Sequence, residues 1–149
     1  TNDAPSAIPR LIDIGVQPFL VASSLRAIMA QRLVRRICPN CREPAELTEP
    51  EMRALRIDPG QVRDAQVMRG KGCDQCRGSG FKGRMGIFEI FVLDDEVRHM
   101  INKRSSTLNL RQRARELGMR TLREDGIRKV LAGQTTADEV ISTTLGDVS

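Results

Sequence analysis

The sequence predicts a mixed α/β chain with a tetracysteine metal-binding segment, a buried strand after it and a series of helices beyond. Three observations carry this. Cys38 and Cys41 in ICPNC are matched by Cys73 and Cys76 in GCDQC, with 31 residues between the two CxxC pairs. The run RMGIFEIFVL, residues 84–93, is rich in isoleucine, phenylalanine and valine and apolar on both faces, as a buried strand is. Beyond it, Asp and Thr recur at helix-start positions, twice with Glu three residues later.

Taken in order, Asp3 and Pro5 suit the start of a first helix, with Ile8, Leu11 and Ile12 on one face and Gly15 as its end. Pro9 falls inside that pattern and predicts a kink or a shortened helix. A second helix begins at Pro18. Residues 25–37, LRAIMAQRLVRRI, fit either a helical stripe of Leu25, Ile28, Leu33, Val34 and Ile37 or a strand. As a strand, this segment can pair antiparallel with 84–93, so that the insertion leaves and re-enters one sheet. Within the insertion, Thr48 and Glu51 have capping-box spacing, Asp58-Pro59-Gly60 marks a turn, and the chain returns extended through Val67 and Met68.

After the strand, Asp94 or Asp95 caps a helix bearing Val97 and Ile101. Thr107 caps another, with Leu110, Ala114 and Leu117 on one face and Gly118 closing it. Thr121 with Glu124, and Thr136 with Glu139, introduce two more helices, bearing Ile127, Val130 and Leu131, then Val140, Ile141 and Thr144. These read as a bundle of about four helices. His99 has no cysteine near it in sequence and reads as a surface residue, and Met100 and Met119 read as packing residues.

The matched CxxC pairs carry the chemistry. A CxxC turn aims two sulfurs at one ion while backbone N–H groups approach them, and two such turns complete an all-thiolate tetrahedral zinc site with no position open to water. Such a site serves folding, not catalysis. Two disulfides, or a redox-active pair, are the competing uses of these cysteines. Gly72, Gly78, Gly80, Gly83 and Gly86 let the backbone turn tightly around the second knuckle. A phosphate-cradling loop is the rival reading, but GxxxxGK[ST] occurs nowhere and no convincing helix follows GSGFKG.

Of the 149 residues, 40% are apolar, enough for one medium core or two small ones, and the longest apolar runs are too short to cross a bilayer, which reads as a soluble segment. The formal charge is +5, falling to roughly +3 once four thiolates hold one zinc. Arginine outnumbers lysine 20 to 4, spread along the chain as solvated helix faces are. The aromatics are four phenylalanines, Phe19, Phe81, Phe88 and Phe91, a poor supply for stacking on nucleic acid. A stand-alone zinc-ribbon module binding nucleic acid is therefore the weaker alternative. A chaperone-like zinc domain, suggested by CDQCRGSG alone, leaves the strand and helices unexplained.

TNDAPSAIPRLIDIGVQPFLVASSLRAIMAQRLVRRICPNC followed by GCDQCRGSGFKGRMGIFEIF resembles the C-terminal part of the secretion ATPases that drive type II secretion and type IV pilus assembly. TNDA is similar to the tail of that family's histidine box, whose histidine would precede Thr1, so the chain is expected to be part of something larger. The resemblance implies that residues 1–37 are the last part of a RecA-like ATPase domain, 38–80 a tetracysteine zinc-binding insertion, 81–93 the returning strand of the core, and 94–149 a C-terminal helical subdomain. It resolves residues 25–37 in favour of strand. It also implies a hexameric parent enzyme at the cytoplasmic face of the inner membrane, hydrolysing ATP with Mg2+, with neighbouring subunits and a membrane platform protein as partners. The Walker A loop, the Walker B acidic residue and the upstream acidic box do not occur in these residues, so no catalytic or cofactor-binding residue is assigned and the segment alone is expected to be inactive.

Overall fold

The computed structural model describes residues 3–145. The described residues form two compact units, each built from two separate stretches of chain: 3–30 with 88–121, and 31–87 with 122–145.

The segment left open between helix and strand is β1 (Ala27–Ile37), and it pairs with β4 (Phe81–Val92) in a two-stranded sheet. The pairing is antiparallel: Leu93 N–H donates to the Arg26 carbonyl at one end (3.0 Å), and Cys38 N–H donates to the Gly80 carbonyl at the other (2.9 Å). The second bond also closes the neck of the insertion, because the residues that leave and re-enter the sheet meet there.

In the first unit, α1 (Ala7–Asp13), α2 (Pro18–Ser24), α5 (Asp95–Asn102) and α6 (Thr107–Glu116) pack around Ile8, Val21, Phe91, Val97, Ile101, Leu110 and Ala114, with Met100 and Met119 against the cluster. Each fully buried aliphatic side chain of this kind stabilises by about 1.5–3 kcal/mol. Pro9 sits in the first turn of α1, where its missing N–H has no helical acceptor. Asp3 accepts from the Ser6 N–H (3.1 Å) and pairs with Arg111 (2.6 Å), which fixes the entry to α1. Glu89, 2% exposed, accepts the Ala4 N–H at 2.6 Å. Asp94 caps α5 by accepting from Val97 N–H (2.9 Å). Ser106, not Thr107, caps α6 through the Asn109 N–H (3.2 Å), which starts the helix one residue earlier than the pattern suggested. Leu117 is 42% exposed and leaves the packed face expected for it, because α6 ends at Glu116.

The second unit contains β2 (Arg42–Pro44), α3 (Glu49–Leu55), α4 (Pro59–Val62), β3 (Met68–Gly70), α7 (Leu122–Leu131) and α8 (Ala137–Thr143). Strands β2 and β3 form an antiparallel ribbon in the register Arg42↔Gly70, Glu43↔Arg69, Pro44↔Met68, tied by an Arg69–Glu43 ion pair of 2.7 Å. The Thr48–Glu51 capping box is present on α3, and Asp58-Pro59-Gly60 opens a one-turn helix where a turn alone was expected. Leu55, Ile57, Val130, Ala137 and Val140 form the buried apolar cluster, joined by Leu47, Val62, Ile127 and Ile141. Gly126 lets α7 and α8 approach closely, since a Cβ there would lie 2.6 Å from Val140 Cγ1.

Candidate metal centre

The four cysteines come from the two ends of the insertion. Cys38 follows β1 directly, Cys41 precedes β2, and Cys73 and Cys76 lie between β3 and β4. The β2–β3 ribbon holds the knuckles together, extended by Lys71 N–H donating to the Cys41 carbonyl (3.1 Å). Glycine makes the approach possible: a Cβ on Gly70 would lie 2.0 Å from the Gly80 carbonyl oxygen, and one on Gly80, at φ +80, would lie 2.6 Å from the Gly70 carbonyl oxygen. Gly86 is not among the residues at positive φ, so of the glycines expected to turn the backbone it is the exception.

All four sulfurs lie within 4.8 Å of one another, and none is in a disulfide. Cys38 to Cys73 and Cys41 to Cys76 are each 3.8 Å, and Cys73 to Cys76 is 3.7 Å. A tetrahedron of zinc–sulfur bonds about 2.3 Å long has edges of about 3.8 Å, so the donor set fits a four-coordinate ion in size and in number. Cys38 and Cys76 are buried and Cys41 and Cys73 partly so.

The surroundings favour the thiolates of Cys73 and Cys76. The Asn40 amide donates to Cys73 Sγ (3.2 Å), Gly72 N–H to Cys41 Sγ (3.3 Å), and Cys73 and Gly80 N–H both to Cys76 Sγ (3.2 Å each). Burial opposes ionisation of Cys76, yet those two N–H groups and the neighbouring thiols outweigh it and bring its pKa down to about 6. Asn40 lowers Cys73 as well, whereas burial pushes Cys41 up to about 11. Four thiolates at this separation repel one another, so their joint ionisation needs a cation among them. Backbone donors near the sulfurs were expected from the CxxC turns, but the Asn40 amide was not. Its only trace in the sequence is an amide side chain inside a knuckle.

His99 is exposed on α5, as expected, and the four cysteines are the one group of His, Cys, Asp and Glu side chains close enough to share an ion among the described residues. No helix among those residues is long and apolar enough to cross a membrane.

A lobe whose neck is drawn together by four converging thiols, carried on a two-stranded ribbon with helices around it, defines a mixed α/β protein with a tetracysteine cluster that could hold a metal ion. The profile of the family described as "Type II/IV secretion system protein" matches residues 1–142. The chain belongs to that family. It is 45% identical to the type II secretion system protein E of Aeromonas hydrophila, over 99% of this chain and 29% of that protein. It is 44% identical to the type II secretion system protein E of Pseudomonas aeruginosa, over 97% of this chain and 28% of that protein. It is 42% identical to the type IV pilus assembly ATPase PilB of Thermus thermophilus, over 97% of this chain and 16% of that protein. The chain thus spans less than a third of the length of each of these relatives.

Proposed function

We propose that the chain is the C-terminal portion of a hexameric ATPase that powers type II secretion or type IV pilus assembly, and that Cys38, Cys41, Cys73 and Cys76 hold one structural zinc. The observation that carries this is the cluster of four sulfurs at tetrahedral-edge spacing in a chain of the secretion family. When bound, zinc supplies a cross-link with no open coordination position. It closes the loop of residues 42–72 at its base, where a long loop gains most from closure.

In this reading β1 and β4 are the last strands of a RecA-like core, residues 38–80 are a lever inserted between them, and the helices beyond residue 93 carry motion onward. Zinc keeps the lever stiff enough to transmit nucleotide-driven movement to a neighbouring subunit or to the platform protein in the inner membrane. ATP and Mg2+ act elsewhere in the assembled enzyme, which works at the cytoplasmic face of that membrane. This segment supplies no group to the phosphates.

Two measurements test the proposal. Elemental analysis of the purified chain should give one zinc per chain; a value well below one in reduced material sinks the metal assignment. In the full-length protein, Cys38→Ser with Cys73→Ser should leave ATP binding in place and abolish secretion or pilus assembly. Undiminished assembly by that variant sinks the lever.

A further inference from the structure

The turn between α7 and α8 is fitted into the metal lobe by contacts that the function proposed above does not use. Ile37 N–H, one residue before Cys38, donates to the Gln134 carbonyl (3.0 Å), and Gln66 N–H donates to that of Leu131 (2.9 Å). Thr135, 0% exposed, donates its hydroxyl to the Arg35 carbonyl at 2.8 Å. Arg42 Nη2, one residue after Cys41, donates to the Gly133 carbonyl at 3.0 Å. Gly133 has φ +74, and a Cβ there would lie 2.5 Å from Gln66 O and 2.7 Å from Met68 Cγ. Residues 131–135 therefore occupy a socket made by residues 35–37, 42 and 66–68, which flank the first cysteine pair and lead toward the second.

Alone, the two helices have little to hold them. They are 10 and 7 residues long, below the ~12–15 at which an isolated helix becomes even marginal. Gly126 further weakens α7. Of the five buried residues in their apolar cluster, Leu55 and Ile57 belong to the lobe.

We propose that metal binding at the cysteines orders the α7–α8 hairpin, so that residues 38–80 and 122–144 fold and unfold as one unit even though 41 residues of chain lie between them. The socket exists only while the segments on either side of the knuckles are held in register, and the metal–sulfur bonds hold them there. Helices α5 and α6, with a separate core around Val97, Ile101 and Leu110, do not follow. This inference rests on the metal reading above.

Amide hydrogen exchange by mass spectrometry, on the purified chain with zinc and after chelation under reducing conditions, tests it. Removing zinc should speed exchange in 122–144 by about 100-fold or more, together with 38–80, and leave 95–116 unchanged. Persisting protection in 122–144 after zinc is lost overturns the inference and leaves the metal site standing. Equal loss in 95–116 also overturns it, since the metal would then stabilise the whole chain without distinction. A chain that purifies without zinc and takes up none overturns both readings. Arg42→Met removes a socket donor without touching a thiol. It should speed exchange in 122–144 at unchanged zinc content, and unaltered exchange there contradicts the socket.

Discussion

Glu139 closes on Arg35 with both carboxylate oxygens. One accepts the Arg35 backbone N–H at 2.8 Å, and the other accepts from Nε at 2.8 Å and Nη2 at 2.7 Å. The same guanidinium lies 4.1 Å over the Phe81 ring, so one residue of β1 joins β4 to α8. Glu139 therefore does not fold back as the second half of a capping box. Thr136 caps α8 through the Glu139 N–H (3.3 Å), but the glutamate side chain goes to Arg35, a stronger, charge-assisted partner.

Glu139→Gln should cost about 1 kcal/mol at neutral pH, since Arg35 is 55% exposed and partly solvated while Glu139 is only 15% exposed. Burial acts to raise the Glu139 pKa, but the bonds from Arg35 outweigh it and hold the carboxyl below its ordinary 4.5. A depressed carboxyl contributes stability above its unfolded value and loses it as pH falls through the folded value. The gap between wild type and variant in denaturant titrations should thus be full above about pH 5 and shrink below 4.5. A gap that stays constant down to pH 3 contradicts the pairing.

Asn40→Ala should weaken zinc binding by about 10-fold, because it removes an amide donor to Cys73 and leaves all four thiols in place. Competition against a chromophoric chelator reads this directly. Equal affinity for both proteins would make the amide irrelevant.

Gly70→Ala should destabilise the metal lobe by about 3 kcal/mol, because its methyl would meet the Gly80 carbonyl at 2.0 Å and backbone cannot swing away as a side chain can. Gly60→Ala, in α4 with open space around it, should be neutral or stabilising by about 0.5 kcal/mol. Thermal unfolding of the two variants side by side checks the contrast.

Ser106→Ala should cost about 1 kcal/mol through loss of the α6 cap, while Thr107→Ala should stay within about 0.5 kcal/mol. Reversed effects would restore the cap to Thr107.

The sequence revealed features that are local. The thiol spacing, the existence of strand β4, the capping box at Thr48 and the Asp94 cap each depend on residues within a few positions of one another. The expected burial of both faces of β4 does not hold, since Ile87, Glu89 and Phe91 are buried while Ile90 is 52% and Val92 62% exposed. What it concealed depends on partners far along the chain. Spacing alone left residues 25–37 open between helix and strand; the family resemblance favoured strand, and β1 pairs with β4 as that requires. Nothing near Gly126 or Gly133 in sequence accounts for them; their distant neighbours Val140 and Gln66 do. Glu139 had the spacing of a capping box and was taken by a residue 104 positions away. Nor could helix patterns tell which core each helix would join: α5 and α6 pack with α1 and α2, while α7 and α8 pack with α3.

Because Ile8 and Val21 share a core with Val97, Leu110 and Ala114, the order in which a ribosome releases the chain matters. Helices α1 and α2 are made well before Val97, Leu110 and Ala114, so their apolar faces lack these partners until Ala114 has been made, whereas all four thiols are out once Cys76 has appeared. Translation runs at about 5–20 residues per second, so those faces wait for several seconds in which the nascent chain is open to chaperones and to wrong partners.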